Sequence, residues 1–224
     1  MTFNDENLAE YNAHIIDEPE IPSAERDLTE ISVPGRDGVL IEDNGRYNPI
    51  SITLSFGVET SDDWDEETYQ FKRWLTGSGN LSLSDGYFYK VLYTTIGEAE
   101  RDTRFLTEIE VTFTCEPYTY LESGTQEYDY EDVLSNPYEI CHPIYIITGV
   151  GTCTLTVNGN EITAYVTSNL TIDTERMVAY TSDGTVSNTS VSGNYDELYL
   201  ESGENTIEIT SGYSLTVIPN WRIL

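Results

Sequence analysis

The sequence predicts a mainly β protein: an N-terminal β-barrel or sandwich-like domain carrying one α-helix, followed by a second domain of strands and turns. Three observations predict it. Several runs alternate polar and apolar residues with period two, Asn-Gly and Asp-Gly pairs punctuate those runs, and one segment shows helical spacing instead.

In chain order, Ser51–Phe56 is the first clear alternating run, and Thr107–Phe113 follows with Ile109, Val111 and Phe113 on one face. Further on, 154–157, 205–209 and 214–218 repeat the pattern. Strict alternation packs one face and wets the other, which is the antiparallel habit. Turns are expected at Asp37-Gly38, Asn44-Gly45, Asp85-Gly86, Asn158-Gly159 and Asp183-Gly184. These pairs supply the positive φ that tight hairpins need.

The helix is expected over 61–77. Trp64, Phe71, Trp74 and Leu75 fall near one face. Acids crowd the first turn, while Lys72 and Arg73 occupy the last, matching the helix dipole. Ser61 or Asp62 is expected to cap the start and Gly77 to close the end. The helix is read as a cover for a sheet, with its tryptophans packing.

Residues 1–121 form the expected first domain. The acidic, aperiodic stretch 122–136 reads as a connection, and 137–224 as the second domain.

The chain has 224 residues and a formal net charge of −30, from 40 Asp and Glu against 10 Lys and Arg. A field of that sign opposes nucleic-acid backbones and anionic membrane surfaces. The lysines are Lys72 and Lys90 alone, so no basic patch offsets it. Hydrophobic residues at 38%, with 17 tyrosines, still supply a core. No stretch approaches the ~20 apolar residues of a membrane helix. The first residues lack a secretory pattern, and the cysteines (Cys115, Cys141, Cys153) have no CxxC spacing, which fits a reduced protein assembled inside a cell. The sequons at Asn80, Asn169 and Asn188 are then chance matches.

Catalytic and ligand-binding readings are weak. With 40 acids, a carboxylate pair in the sequence identifies no glycosidase site. His14 and His142 are the only histidines, and adjacent Cys141 and His142 point to opposite faces of a strand. The acidic helix start lacks the EF-hand pattern. There is no GxSxG, GxGxxG or GxxxxGK[ST]. No enzyme activity, cofactor or metal is expected. Gly35-Arg36-Asp37-Gly38 is the compact motif of the first half. It reads as a turn whose glycines supply special backbone angles and whose charged pair can pin neighbouring loops.

The ordered motifs resemble the distal tail protein (Dit) family of siphovirus-type bacteriophages. The series runs from Val33–Gly38 through the strand 51–56, the helix with Phe71-Lys72-Arg73-Trp74-Leu75 and the pair at 81–92 to Val111–Tyr118. The second half resembles the galectin-like β-sandwich appended to many members. That likeness rests on Asn136-Pro137-Tyr138, 143–146, Gly149–Gly151, Val157–Gly159, Leu170–Thr174, Leu200–Asn205 and Pro219–Arg222. Met1–Glu10 departs from the family pattern in being more acidic.

The resemblance implies a structural protein without catalysis. It would form a homo-oligomeric ring, a hexamer, at the virion tail tip after assembly in the host cytoplasm. The ring would join the tail tube protein to tail-associated and receptor-binding proteins, with no specific nucleic-acid binding and no membrane insertion. Turn or interface candidates are Gly35, Arg36, Asp37, Gly38, Trp74, Trp221 and Arg222. The last strand, 215–224, either stays in the sandwich or returns to the first domain. The alternative function is a carbohydrate-binding module for host adsorption, which needs an exposed aromatic platform.

Overall fold

The computed structural model describes residues 1–61, 63–103 and 105–224. The chain divides into two compact units, Met1–Thr119 with Leu224, and Tyr120–Ile223. It is mainly β with antiparallel sheets and, among the described residues, one α-helix, as the alternating patterns predict.

The first unit opens with β1 (Thr2–Phe3), β2 (Glu6–Asn7) and β3 (Ala13–Ile15). Next come β4 (Arg26–Ser32), β5 (Val39–Tyr47) and β6 (Ile50–Glu59). The helix α1 (Trp64–Trp74) follows, then β7 (Gly79–Ser84), β8 (Tyr87–Thr103) and β9 (Leu106–Leu121). The main sheet has the order β2-β1-β7-β8-β9-β6-β3, while, among the described residues, β4 and β5 form a separate two-stranded sheet.

At the centre of the sheet, β6 and β9 pair from Ile50↔Cys115 to Glu59↔Leu106. Paired residues share a face. Ile52, Leu54 and Phe56 therefore lie beside Phe113, Val111 and Ile109, and all six are buried. The opposite face carries Ser51, Thr53 and Thr112, and the Thr53 and Thr112 hydroxyls meet at 3.0 Å.

Helix α1 lies on the apolar face. Phe71 meets Phe56 edge-on with ring centroids 5.4 Å apart. Trp74 donates its indole N–H to the Phe3 carbonyl at 3.2 Å and stacks on Tyr11 at 4.4 Å. Trp64 donates to the buried Thr107 hydroxyl at 2.5 Å. The helix starts later than its cap signals suggest. Asp63 holds the cap position without a side-chain bond, and Glu67 reaches back to accept from the Ser61 N–H and hydroxyl at 2.6 and 2.8 Å. Asp62, the other expected cap, lies outside the described residues. The helix ends with Leu75 at its cap, and Gly77 at φ +112° turns the chain two residues beyond.

The second unit contains β10 (Tyr128–Asp129), β11 (Val133–Asn136), β12 (Ile144–Thr148), β13 (Gly151–Val157), β14 (Asn160–Val166) and β15 (Asn169–Asp173). It continues with β16 (Val178–Tyr180), β17 (Val191–Ser192), β18 (Gly203–Ile209), β19 (Ser214–Ile218) and β20 (Arg222–Ile223). Two sheets, β10-β19-β12-β15-β16 and β11-β18-β13-β14-β17, enclose one core. Tyr145, Ile147, Leu155, Val157, Ile172, Ile207 and Val217 meet there, making a β-sandwich. The fully buried Tyr145 donates its hydroxyl to the Leu198 carbonyl at 2.9 Å.

Segment 122–136, expected to be a connection, supplies the strands β10 and β11 to the sandwich edges. Edge strands of two and four residues are too short to display a period. The end of the chain divides between two sheets: β19 lies between β10 and β12, and β20 pairs with β9, whose last residues Tyr120 and Leu121 belong to the second unit.

Replacing Phe113 by alanine removes a ring from the centre of the first core and is expected to cost about 3–5 kcal/mol. Urea denaturation followed by the tryptophans of α1 measures it; a loss below about 1 kcal/mol would contradict this packing.

Candidate functional site

The hairpin β4–β5 stands apart from both cores. Its tip follows from the motif Gly35-Arg36-Asp37-Gly38. Gly35 and Gly38 adopt φ of +82° and +80°, and the Arg36 N–H donates to the Val33 carbonyl at 3.2 Å. Both angles are costly for residues with a Cβ. Arg36 and Asp37 are exposed at this tip.

The register runs from Leu28↔Asp43 to Ser32↔Val39. Leu28, Val39 and Ile41 therefore share one face, and Ile31 and Leu40 the other. All five are exposed, from 39% at Leu40 to 58% at Ile41. The consecutive run Val39-Leu40-Ile41 places apolar groups on both faces, so the arm has no wet side to balance a packed one. A two-stranded hairpin alone is marginal in water.

The base of the arm is fastened by charge. Arg26 bonds Asp43 at 2.7 Å and lies over the Tyr47 ring at 5.1 Å. Arg46 bonds Asp27 at 2.6 Å, and Tyr47 meets Tyr118 edge-on at 6.2 Å. The Gly45 N–H and then Arg26 hold the Asp43 carboxyl below its usual value; Arg46 and Asn44 do the same for Asp27. Asn44-Gly45, expected as a turn between strands, sits inside β5. The pairing shifts between Arg26 and Leu28 and absorbs it as a bulge.

The other candidates sit in cores. Trp74 belongs to the first and Trp221 to the second, where Tyr138 lies 6.1 Å from its ring. An added Cβ at Gly124 would fall 2.3 Å from the Trp221 backbone nitrogen, so the chain passes there only because Gly124 has no side chain. Arg222 is buried, donates to the Ile140 carbonyl at 2.6 Å and meets His142 Nε2 at 3.1 Å. That arrangement ties the chain end to the stretch before β12.

Cys115, Cys141 and Cys153 are buried free thiols, and burial pushes all three up, Cys115 to about 12. They stay protonated and are poor nucleophiles. Among the described residues no group of three or more His, Cys, Asp or Glu is arranged to hold a metal, and no helix is long and apolar enough to cross a membrane.

No protein-family model and no curated protein matches the chain. Among solved structures it is similar to the Dit protein of phage SPP1, described as a paradigm of the hub adsorption apparatus in phages that infect Gram-positive bacteria. The two superpose with a TM-score of 0.71 over 99% of this chain and 98% of that one, at 11% identity. The chain has the fold of SPP1 Dit. At that identity the likeness to SPP1 Dit is one of backbone, carried by few shared side chains.

The arm base makes a prediction about acid titration. Asp27 and Asp43 are expected to titrate below 3.8. Their folded values are depressed, so their stabilising contribution is present above ~3.9 and is lost as pH falls through the folded values. Carboxyl NMR titration checks this. Arg46→Gln should return Asp27 most of the way, whereas Arg26→Gln should return Asp43 only partly, because the Gly45 N–H remains. An unmoved Asp27 would refute the Arg46 contact.

Proposed function

We propose that this chain is a structural hub protein of a siphovirus-type phage tail, a distal tail protein without catalysis. In this reading it forms a ring, a hexamer, that joins the tail tube to the tail-associated and receptor-binding proteins. Its place is the virion tail tip, reached after assembly in the host cytoplasm. The observation that carries the reading is the β4–β5 arm, whose apolar side chains lie open on both faces. A second copy is the occupant favoured here. Closed rings are built from identical subunits, and each arm then meets the same surface on its neighbour. The fold of SPP1 Dit, spanning the whole chain, supports it.

Net charge constrains how such a ring holds. Each copy brings −30, and like charges oppose association. The contact must therefore be largely apolar, and the arm beyond its ion-paired base offers Leu28, Ile31, Val39, Leu40 and Ile41 for it, with Glu30 and Glu42 among them. Salt screening should strengthen assembly. A related proposal concerns the lumen. Glu98, Glu100, Glu108 and Glu110 are exposed round one hollow on the polar side of the first sheet. Facing a channel, they would repel passing DNA phosphates and keep it from sticking.

The second unit is proposed to be a galectin-like sandwich that projects outward as a scaffold. The carbohydrate alternative gains no support from Trp221, which packs in the core.

Negative-stain microscopy of the purified protein tests the function: a closed ring with peripheral lobes is expected, and a compact monomer at every concentration would overturn it. Ile31→Asp with Ile41→Asp removes one isoleucine from each face and is expected to raise the subunit dissociation constant by more than roughly a hundredfold. Val150→Asp, at an exposed site on the second unit, should leave it unchanged. Sedimentation across a salt series reads both effects, and association that weakens as salt rises would contradict the apolar contact.

A further inference from the structure

The chain contains two Asn-Gly pairs, and the fold holds them very differently. Asn158-Gly159 forms the turn between β13 and β14, with φ of 52° and 83°. Its side-chain amide is locked to β18: Oδ1 accepts from the Thr206 N–H at 3.0 Å, and Nδ2 donates to Oδ1 of the buried Asn205 at 2.8 Å. Asn44-Gly45 sits in the exposed bulge of β5. There the Asn44 amide donates to the exposed Thr29 hydroxyl at 3.0 Å and bonds the half-buried Asp27 carboxyl, two side chains of the same hairpin and no backbone group of another strand.

We infer that Asn44 is a site of spontaneous backbone-assisted modification, converting to aspartate and isoaspartate, whereas Asn158 is protected. The nucleophile is the backbone nitrogen of Gly45, which attacks Cγ of Asn44 to close a five-membered succinimide. A new N–Cγ bond forms and the Cγ–Nδ2 bond breaks. The proton leaving the Gly45 nitrogen ends on the departing amide, which is released as ammonia. Water then opens either carbonyl of the ring. No other reactant is needed.

Two features of the site favour the first step. Nothing lies within 4 Å of where a Cβ on Gly45 would be, so the space beside its Cα is open. The Gly45 N–H already donates to Asp43 Oδ1 at 2.9 Å, which places a carboxylate to receive the proton as attack begins. Asn158 has the glycine but not the freedom, since its Cγ cannot rotate towards the Gly159 nitrogen without breaking both bonds to β18.

The products matter for the arm. Either one adds a negative charge beside Asp27 and Asp43, and isoaspartate also lengthens the backbone by one atom inside the bulge. An effect on assembly rests on the reading of the arm as the contact between copies; the modification itself does not.

The experiment is peptide mapping by mass spectrometry of the full chain held in warm, mildly alkaline buffer. The peptide bearing Asn44 should gain one mass unit several-fold faster than that bearing Asn158, with isoaspartate among its products. In urea the two pairs should convert at similar rates. Asn44→Gln should abolish conversion in the arm, because the longer side chain would have to close a six-membered ring. Equal rates in the folded protein, earlier conversion at Asn158, or no conversion at Asn44 would overturn the inference. Asp43→Asn separates the base from the frame. Slower conversion supports proton transfer to Asp43, while unchanged or faster conversion, as expected from a merely loosened bulge, removes that role.

Discussion

The antiparallel pairing of β6 with β9 is the constraint on which the first unit depends. Ten consecutive pairs fix the register, from Ile50↔Cys115 to Glu59↔Leu106. A slip of one residue would turn Ile52, Leu54 and Phe56 towards solvent and bring Ser51, Thr53 and Ser55 beneath the helix. With the register set, the sheet has one oily side, and α1 has one place to bury Phe71 and Trp74. The aromatic contacts from Phe3, Tyr11 and Phe56 onto the helix are consequences of that side being fixed.

How much of this could be read beforehand follows from where each signal resides. The alternation in 51–56 and 107–113 is local, and it predicted both strands and the packed face. The helix was legible from its spacing and its charge order. Segment 122–136 was not, because β10 and β11 are edge strands defined by β19 and β18 some seventy to ninety residues later. Strand β8 runs to Thr103, well past the apolar stretch that suggested it, because its acidic continuation stays in the sheet beside β9. Trp221 and Arg222 were visible as a motif, but what they touch lies some eighty to a hundred residues earlier in the chain. The arm was half legible. Its glycine turn was singled out, while the meaning of Val39-Leu40-Ile41 depends on there being no sheet beneath it.

Charge and hydrophobicity divide the labour in the arm. Its base uses ion pairs, Arg26 with Asp43 and Arg46 with Asp27, which consume arginines that the acidic chain has few of. Exposed pairs of this kind contribute little net stability, so they orient the hairpin more than they stabilise it. Beyond the base, exposed Leu28, Ile31, Val39, Leu40 and Ile41 are interspersed with Thr29, Glu30, Ser32 and Glu42, so apolar groups stand on both faces. An arm selected only for monomer solubility would alternate, with one face polar. This one does not, and covering it would remove apolar area from both faces at once.

The same exposure has a chemical cost. A hairpin exposed on both faces does not shield its own bulge, and the bulge in β5 is built from the residue pair most prone to cyclise. In the sandwich, β18 holds the amide of the identical pair through Asn205 and Thr206. The contrast between Asn44 and Asn158 is therefore a consequence of where the chain finishes its packing alone and where it leaves a surface unfinished. Physical protection follows packing, and the arm's side chains are exposed where those of the sandwich are buried.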